Sequence, residues 1–503
     1  MRRALSCVLI SLILTLCPPF FDVAEADDSA EVRTLKKQVE TLQRTVEQLQ
    51  HAIEGMQKET TSRDEKLQQQ VDTVRKQQTT TLQDRLESPL DRAVKELGGG
   101  DRRTESTDLF SRRVGGTNLR LIDISLDALI AAGASSKREE ALQTLQGGGH
   151  DPRKRGFTVQ NVEFSLMGAI DPYFTGEAHL VYFIDPLKGE SVFELEEAFL
   201  TTTSLPYGLQ LEAGQFFTEF GQINPRHPHA WDWQDQPIIN TRLFGPDGMR
   251  GPGFRLGWLT PLPWFSEVHV GMQNANGETM ASFLASEEFY EERSVAGRPF
   301  IERDVRKLND FTYLARWNNS WDLSDEVTGV LGFSGLYGPN ATGRDGDTWI
   351  YGLDTKWRWR PANNFRGWPF LLWQMEIMQR DFKAAHLFDD SNTNDPLALP
   401  GRTLHDWGFY TQLLYGFQYG WAAGLRYEYA GGSGRSIGGR QNDPFRADRQ
   451  RVSPLLVWHP SEFSRIRLQY NYDHANHFRD NKDAHALWLG FEFMYGAHPA
   501  HQY

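Results

Sequence analysis

The residues of this chain best suited to bind something are two histidine pairs and a run of arginines. His227 and His229 stand in Arg226-His-Pro-His229, and His498 and His501 lie close to the last residue, Tyr503. His-x-His and His-x-x-His spacings offer imidazole nitrogens to a metal such as zinc. A closed tetrahedral site needs four positioned ligands, so these four histidines are candidates on spacing alone. Arg226, Arg242 and Arg250 crowd the stretch around the first pair, and guanidinium forks match carboxylate and phosphate. Acidic doublets at Glu196-Glu197, Glu287-Glu288 and Glu291-Glu292 are the candidates for acid–base work. Neighbours on a strand point to opposite faces, and doublets in loops are more simply solvated, so they are read as non-catalytic. No nucleophile elbow, phosphate loop or dinucleotide fingerprint appears. The expectation is a protein that is not an enzyme and carries no cofactor.

These residues need something to position them. Gln222 to Arg250 lies between Leu209-Gln-Leu211-Glu-Ala213 and Gly253-Phe-Arg255-Leu-Gly257, both of which alternate with the period of a strand. A connection of that length is ordinarily functional or disordered, and Trp231 and Trp233 within it are read as anchors to a wall. The same alternation recurs about sixteen times between Leu119 and Tyr495. In Ser464–Asp473, Ile466, Leu468, Tyr470 and Tyr472 take one side, and Arg465, Arg467, Gln469 and Asn471 the other. Short connections alternate with long ones. Aromatics make up 12% of the chain, with 15 Trp, although mean hydropathy is -0.53. Lipid-facing and lumen-facing residues cancel in such an average, so the expected fold is an all-β transmembrane barrel of about 16 antiparallel strands over 119–503. Its inward cationic candidates are Arg255, Arg316, Lys356, Arg358, Arg426, Arg465 and Arg467, mixed with Asp354, Glu376, Glu428 and Asp473. A net charge of -13 argues against nucleic acid as a partner.

The N-terminal part reads differently. Residues 1–26 have a basic start, a short apolar run and Ala24-Glu-Ala26, the pattern of a secretory signal. Cys7 and Cys17 are the only cysteines and lie within it, so no disulfide or thiolate chemistry is expected afterwards. From Val32 through Leu35, Val39, Leu42, Val46, Leu49, Ile53 and Met56 the apolar spacing alternates three and four. That is a heptad seam, interrupted beyond Thr60, and it predicts an α-helical coiled coil over 27–97 with a glycine-rich linker over 98–118.

Val159-Gln-Asn-Val-Glu-Phe-Ser-Leu-Met-Gly168, Leu211-Glu-Ala-Gly-Gln-Phe-Phe-Thr-Glu-Phe-Gly221 and Phe244-Gly-Pro-Asp-Gly-Met-Arg-Gly-Pro-Gly-Phe-Arg255 resemble the phosphate- and polyphosphate-selective porins of Gram-negative outer membranes. The resemblance spans Leu119 to the C-terminus and is stronger in order and spacing than in residues. It implies a sixteen-stranded barrel in the bacterial outer membrane, with the coiled coil in the periplasm and 222–250 as the loop that narrows the pore. Arg226, Arg242, Arg250, Arg255, Arg358 and Arg467 would then form the constriction. The mixed lumen departs from the family's arginine ladder, so a general porin passing small hydrophilic solutes by diffusion, with an anion or phosphate preference, is the expectation. The alternatives are a zinc-related outer-membrane uptake or binding protein, and a structural or adhesive barrel without channel activity. Expected partners are outer-membrane lipid, further copies of the chain (a trimer, or a dimer as the two-stranded heptad would favour), and peptidoglycan through the coiled coil.

Overall fold

The computed structural model describes residues 111–114, 117–120, 122–389, 397–433 and 443–496. The expected signal segment, the coiled coil and most of the linker lie outside the described residues, as do His498 and His501. Sixteen antiparallel strands close into one barrel. A short ribbon precedes it, β1 (Ser111–Val114) with β2 (Thr117–Arg120). The barrel then runs β3 (Asp123–Ser135), β4 (Gly156–Ala169), β5 (Phe174–Ile184), β6 (Ser191–Thr202), β7 (Leu209–Phe217), β8 (Arg250–Leu259), β9 (Phe265–Asn274), β10 (Phe311–Ser324), β11 (Val327–Pro339), β12 (Asp347–Trp359) and β13 (Phe370–Ala384). A second small ribbon, β14 (Leu387–Asp389) with β15 (Leu397–Leu399), extends the next connection. The barrel finishes with β16 (Arg402–Gln418), β17 (Trp421–Gly432), β18 (Arg449–Ser461), β19 (Ser464–Ala475) and β20 (Asp483–Gly496). Closure is by β20 against β3, with Leu487 opposite Ala134 and Gly496 opposite Ser125. The barrel begins at Asp123 rather than Leu119, because Thr117–Arg120 is spent on the preceding ribbon.

Alternation along the strands sorts the residues into two faces. On β20, Leu487, Phe491, Phe493 and Tyr495 are exposed, while Ala486, Trp488, Glu492 and Met494 between them are buried. On β18, Leu456 and Trp458 face out and Arg449, Arg451 and Ser453 face in. The outer face is thus apolar all round the barrel. Exposed to water it would forgo about 25 cal/mol for each Å² of that surface, which makes it a lipid-facing surface and the fold a transmembrane barrel. Among the described residues no helix is long and apolar enough to cross a membrane, and a closed barrel is the other way to satisfy every backbone group in lipid.

Aromatics on the outer face meet across strands near both rims. Tyr337 pairs with Trp349 at 4.4 Å between ring centroids, and Trp421 stacks on Trp458 at 5.6 Å. Such cross-strand pairs stabilise the sheet beyond their buried area and form the girdles of a membrane barrel. Connections at one rim are short, such as 170–173, 325–326, 419–420 and 462–463. At the other rim they are long, at 136–155, 218–249, 275–310 and 433–448. The start of β3 and the end of β20 both lie at the short-turn rim.

Candidate functional site: the filled interior of the barrel

Among the described residues the long connections carry three short α-helices, α1 (Glu139–Leu145), α2 (Ile238–Phe244) and α3 (Glu287–Arg293). The connection between β7 and β8 turns inward and packs its apolar residues against the inner wall. Phe220, Ile239, Leu243 and Phe244 are fully buried there with Leu336, Ile350 and Tyr410 of the strands. The wall has notches for it. A Cβ on Gly424 of β17 would come within 2.9 Å of the Trp233 ring, and one on Gly490 of β20 within 2.1 Å of Gln234 Oε1. Glycine leaves room at both positions for the loop side chains that occupy the space. Trp233 also donates its Nε1–H to the Ser453 carbonyl at 3.0 Å, whereas Trp231 donates to Arg226 within its own loop.

Asp235 is the loop's polar hinge point. Its carboxylate, 1% exposed, accepts from Arg426, from Arg451 at 2.7 Å, from Gln469 and Asn471 at 2.8 Å, and from Gln146 at 3.0 Å. Burial alone would raise its pKa, but Arg426 and Arg451 outweigh it and hold the group below the usual carboxylate range. Arg465 and Arg467 grip the loop's backbone instead. Both donate to the Trp231 carbonyl at 3.0 Å, and both contact Glu492. The wall side chains of this region are buried: Arg316, Asp354, Glu376, Arg426, Gln469 and Glu492 are each at most 3% exposed.

The six constriction arginines expected from sequence are distributed, and most are engaged with the protein itself. Arg242 donates to the Ala447 carbonyl at 2.5 Å. Arg250 pairs with Glu194 and lies 3.7 Å from Glu196. Arg255 binds Glu212 at 2.8 Å and also Glu219. Arg467 serves the loop backbone as described. Arg226 donates to Gln222 at 3.3 Å within its own loop; it and Arg358 both act electrostatically on Lys356, against the attraction of Asp232. Arg226 and Arg255 are half-buried and Arg358 is exposed, so Arg358 is the member of the set most open to water.

A second constellation forms where the loop crosses β4, β5 and β6. Glu163 Oε1 lies 3.1 Å from His179 Nδ1, while its Oε2 lies 3.1 Å from Nδ1 of both His227 and His229. His227 Nδ1 is also 3.1 Å from Glu196 Oε2, and its Nε2 is 2.7 Å from Glu197 Oε2. The other Glu196 oxygen faces His150 Nε2 at 3.2 Å. Burial opposes charge on His227, but Glu163, Glu196 and Glu197 outweigh it and raise its pKa well above the usual imidazole value. A β-bulge makes the arrangement possible. Glu197 pairs with His179 and Leu195 with Leu180, leaving Glu196 as the extra residue. Both members of the Glu196-Glu197 doublet therefore point inward, at 1% and 7% exposure. The expectation that strand neighbours point oppositely fails at this doublet.

His227 and His229 were singled out by spacing, and both sit in this cluster. Glu163 and His179 were not; Asp235, expected with Asp232 and Asp247 to pair with the loop's own arginines, instead pairs with Arg426 and Arg451 of the wall. Alternation could have turned Glu163 and His179 inward, but only the register that sets Ser165 beside His179 and His179 beside Glu197 assembles them.

No family model matches the chain. An uncharacterized protein of Aquifex aeolicus (strain VF5) is 28% identical over 407 residues, covering 76% of this chain and 80% of its own. Among solved structures, the outer membrane channel DcaP of Acinetobacter baumannii is similar with a TM-score of 0.47 and 9% identity, over 74% of this chain and 97% of that one. Pseudomonas putida OprB gives 0.46 and 9%, over 74% and 94%. An anion-selective porin from Comamonas acidovorans gives 0.45 and 8%, over 74% and 99%. At such scores the likeness carries no inference, and the barrel rests on its own strand pairing.

Proposed function

We propose that this chain is a porin-like channel of the bacterial outer membrane, passing small hydrophilic solutes by diffusion when the β7–β8 loop yields. One observation carries the reading: a closed barrel, apolar outside and charged inside, has the β7–β8 loop folded into the lumen and held there by wall side chains. Side-chain rings and internal loops are how barrels of this class select solutes. The chemistry is recognition and passage, with no covalent step. Arg226, Lys356 and Arg358 give the accessible interior a cationic group, which favours anions, phosphate among them. Arg250 and Arg255 are held by carboxylates, and Arg465 and Arg467 by the Trp231 carbonyl and Glu492. In this reading the coiled coil stands in the periplasm, where it supports assembly with further copies or contact with peptidoglycan.

A second reading has its own observation. Many inward wall side chains are only a few per cent exposed, which favours a structural or adhesive barrel without steady conductance. Planar-bilayer recordings on the purified full-length protein separate the two. Discrete channels, with a reversal potential displaced toward anions in a salt gradient, support the porin. Silence from both the native protein and a variant with a loosened loop would leave the structural barrel.

A further inference from the structure

Outside the constriction, the buried histidine–glutamate cluster is more elaborate than holding a loop requires. Donor atoms of Glu163, His179 and His227, all buried, lie within 4.8 Å of one another. We propose that these three, completed by Glu196, bind a divalent transition-metal ion of the zinc class, tying the β7–β8 loop to β4, β5 and β6.

Two observations carry this. First, two carboxylate oxygens converge on one imidazole nitrogen: His227 Nδ1 lies 3.1 Å from both Glu196 Oε2 and Glu163 Oε2. The His227–Glu196 contact is an ion pair that lacks the alignment of a hydrogen bond. A cation at this point of convergence would bind all three atoms. Metal–ligand bonds of about 2.0–2.2 Å place neighbouring ligand atoms roughly 3.3–3.6 Å apart in a tetrahedral site, so shifts of a few tenths of an ångström suffice. Second, the ligands have the supporting partners that metal-binding side chains ordinarily have. His227 presents Nδ1 to the cluster, and its Nε2 meets Glu197 Oε2 at 2.7 Å. Glu197 is in turn fixed by the Phe217 N–H at 2.7 Å. Glu196 is oriented through its other oxygen by His150, whose Nδ1 meets the Gln160 carbonyl at 3.1 Å. A cavity of about 10 Å³ borders Glu196 on its other side, with His150, Phe217, Ile223 and Arg226, and is not lined by the other three ligands. Two imidazoles with two carboxylates suit zinc and its neighbours rather than calcium or magnesium, which take oxygen alone. Their two negative charges would neutralise the ion.

The competing state is a metal-free set of imidazolium–carboxylate pairs, and direct binding distinguishes them. The full-length protein, folded in detergent and stripped with chelator, is titrated with Zn2+ and, for its visible absorption, with Co2+. One tightly bound ion per chain is expected, with Co2+ bands of a four- or five-coordinate nitrogen–oxygen site. His227→Ala and Glu163→Gln should each weaken binding by about 100-fold or more, and the positioning variant Glu197→Gln by roughly 10–100-fold. The double variant His498→Ala/His501→Ala should bind normally. Because His227→Ala could loosen the loop, His179→Asn on the wall provides a second test, and a gel shift on heating verifies that each barrel is folded. No binding by the folded native protein, undiminished binding in folded His179→Asn and Glu163→Gln, or loss in the tail variant would each overturn the site.

Discussion

Arg451 of β18 donates to Asp235 of the inner loop at 2.7 Å and to Asp473 of β19 at 2.9 Å. The guanidinium thus bridges a movable carboxylate and a fixed one. Removing Asp235 leaves Arg426 and Arg451 short of a partner in a dry interior, while Asp473 keeps Arg451 on the wall. Breaking a buried pair from one side costs about 3–5 kcal/mol. Asp235→Ala should therefore release the loop with the barrel intact. The expected result is a larger single-channel conductance in planar bilayers. The temperature at which the folded band disappears on a gel should fall. Unchanged conductance and heat stability would show that Asp235 does not hold the loop.

The wall notches make a steric counterpart. Gly490→Val puts a side chain where Gln234 sits, and Gly424→Val one where Trp233 sits. Overpacking of this kind costs about 1–3 kcal/mol, and the loop, rather than the hydrogen-bonded wall, should move. Gly335→Val is the control, since a Cβ there meets nothing within 4 Å. Limited proteolysis within 222–250 should quicken in the first two variants and not in the third.

Selectivity should follow the accessible cationic group rather than the paired arginines. Arg226→Glu combined with Lys356→Glu is expected to swing the reversal potential toward cations. Arg255→Gln, which removes a side chain already bound to Glu212 and Glu219, should move it little. Equal effects from both would place the solute path along β8.

Acid should loosen one contact between long loops. His477 lies within 3.0 Å of Thr144 Oγ1 in the neighbouring connection. Burial, then Arg449, lowers its pKa to about 4, below the ordinary value of about 6.5. The folded state therefore prefers the neutral ring. Its contribution is complete above about pH 6.5 and is lost as pH falls toward 4. Hydrogen exchange of 476–482 should quicken across that window in the native protein and lose this dependence in His477→Gln.

The sequence by itself determined the wall. A period of two with aromatic and aliphatic residues on one face, interrupted at regular intervals by short and long polar stretches, leaves a closed barrel as the way to satisfy the backbone in lipid. The expected strands correspond one for one to the sixteen of the barrel. Strand ends were less legible, as at Asp123, because pairing partners rather than composition decide where a ladder stops. The interior was decided by tertiary structure. Which carboxylate meets Arg250 or Arg451 depends on register and on how 218–249 folds inward, and neither leaves a local signal. Glu196 shows the limit most sharply: alternation turns it away from Glu197, and one extra residue opposite His179 turns both toward His227.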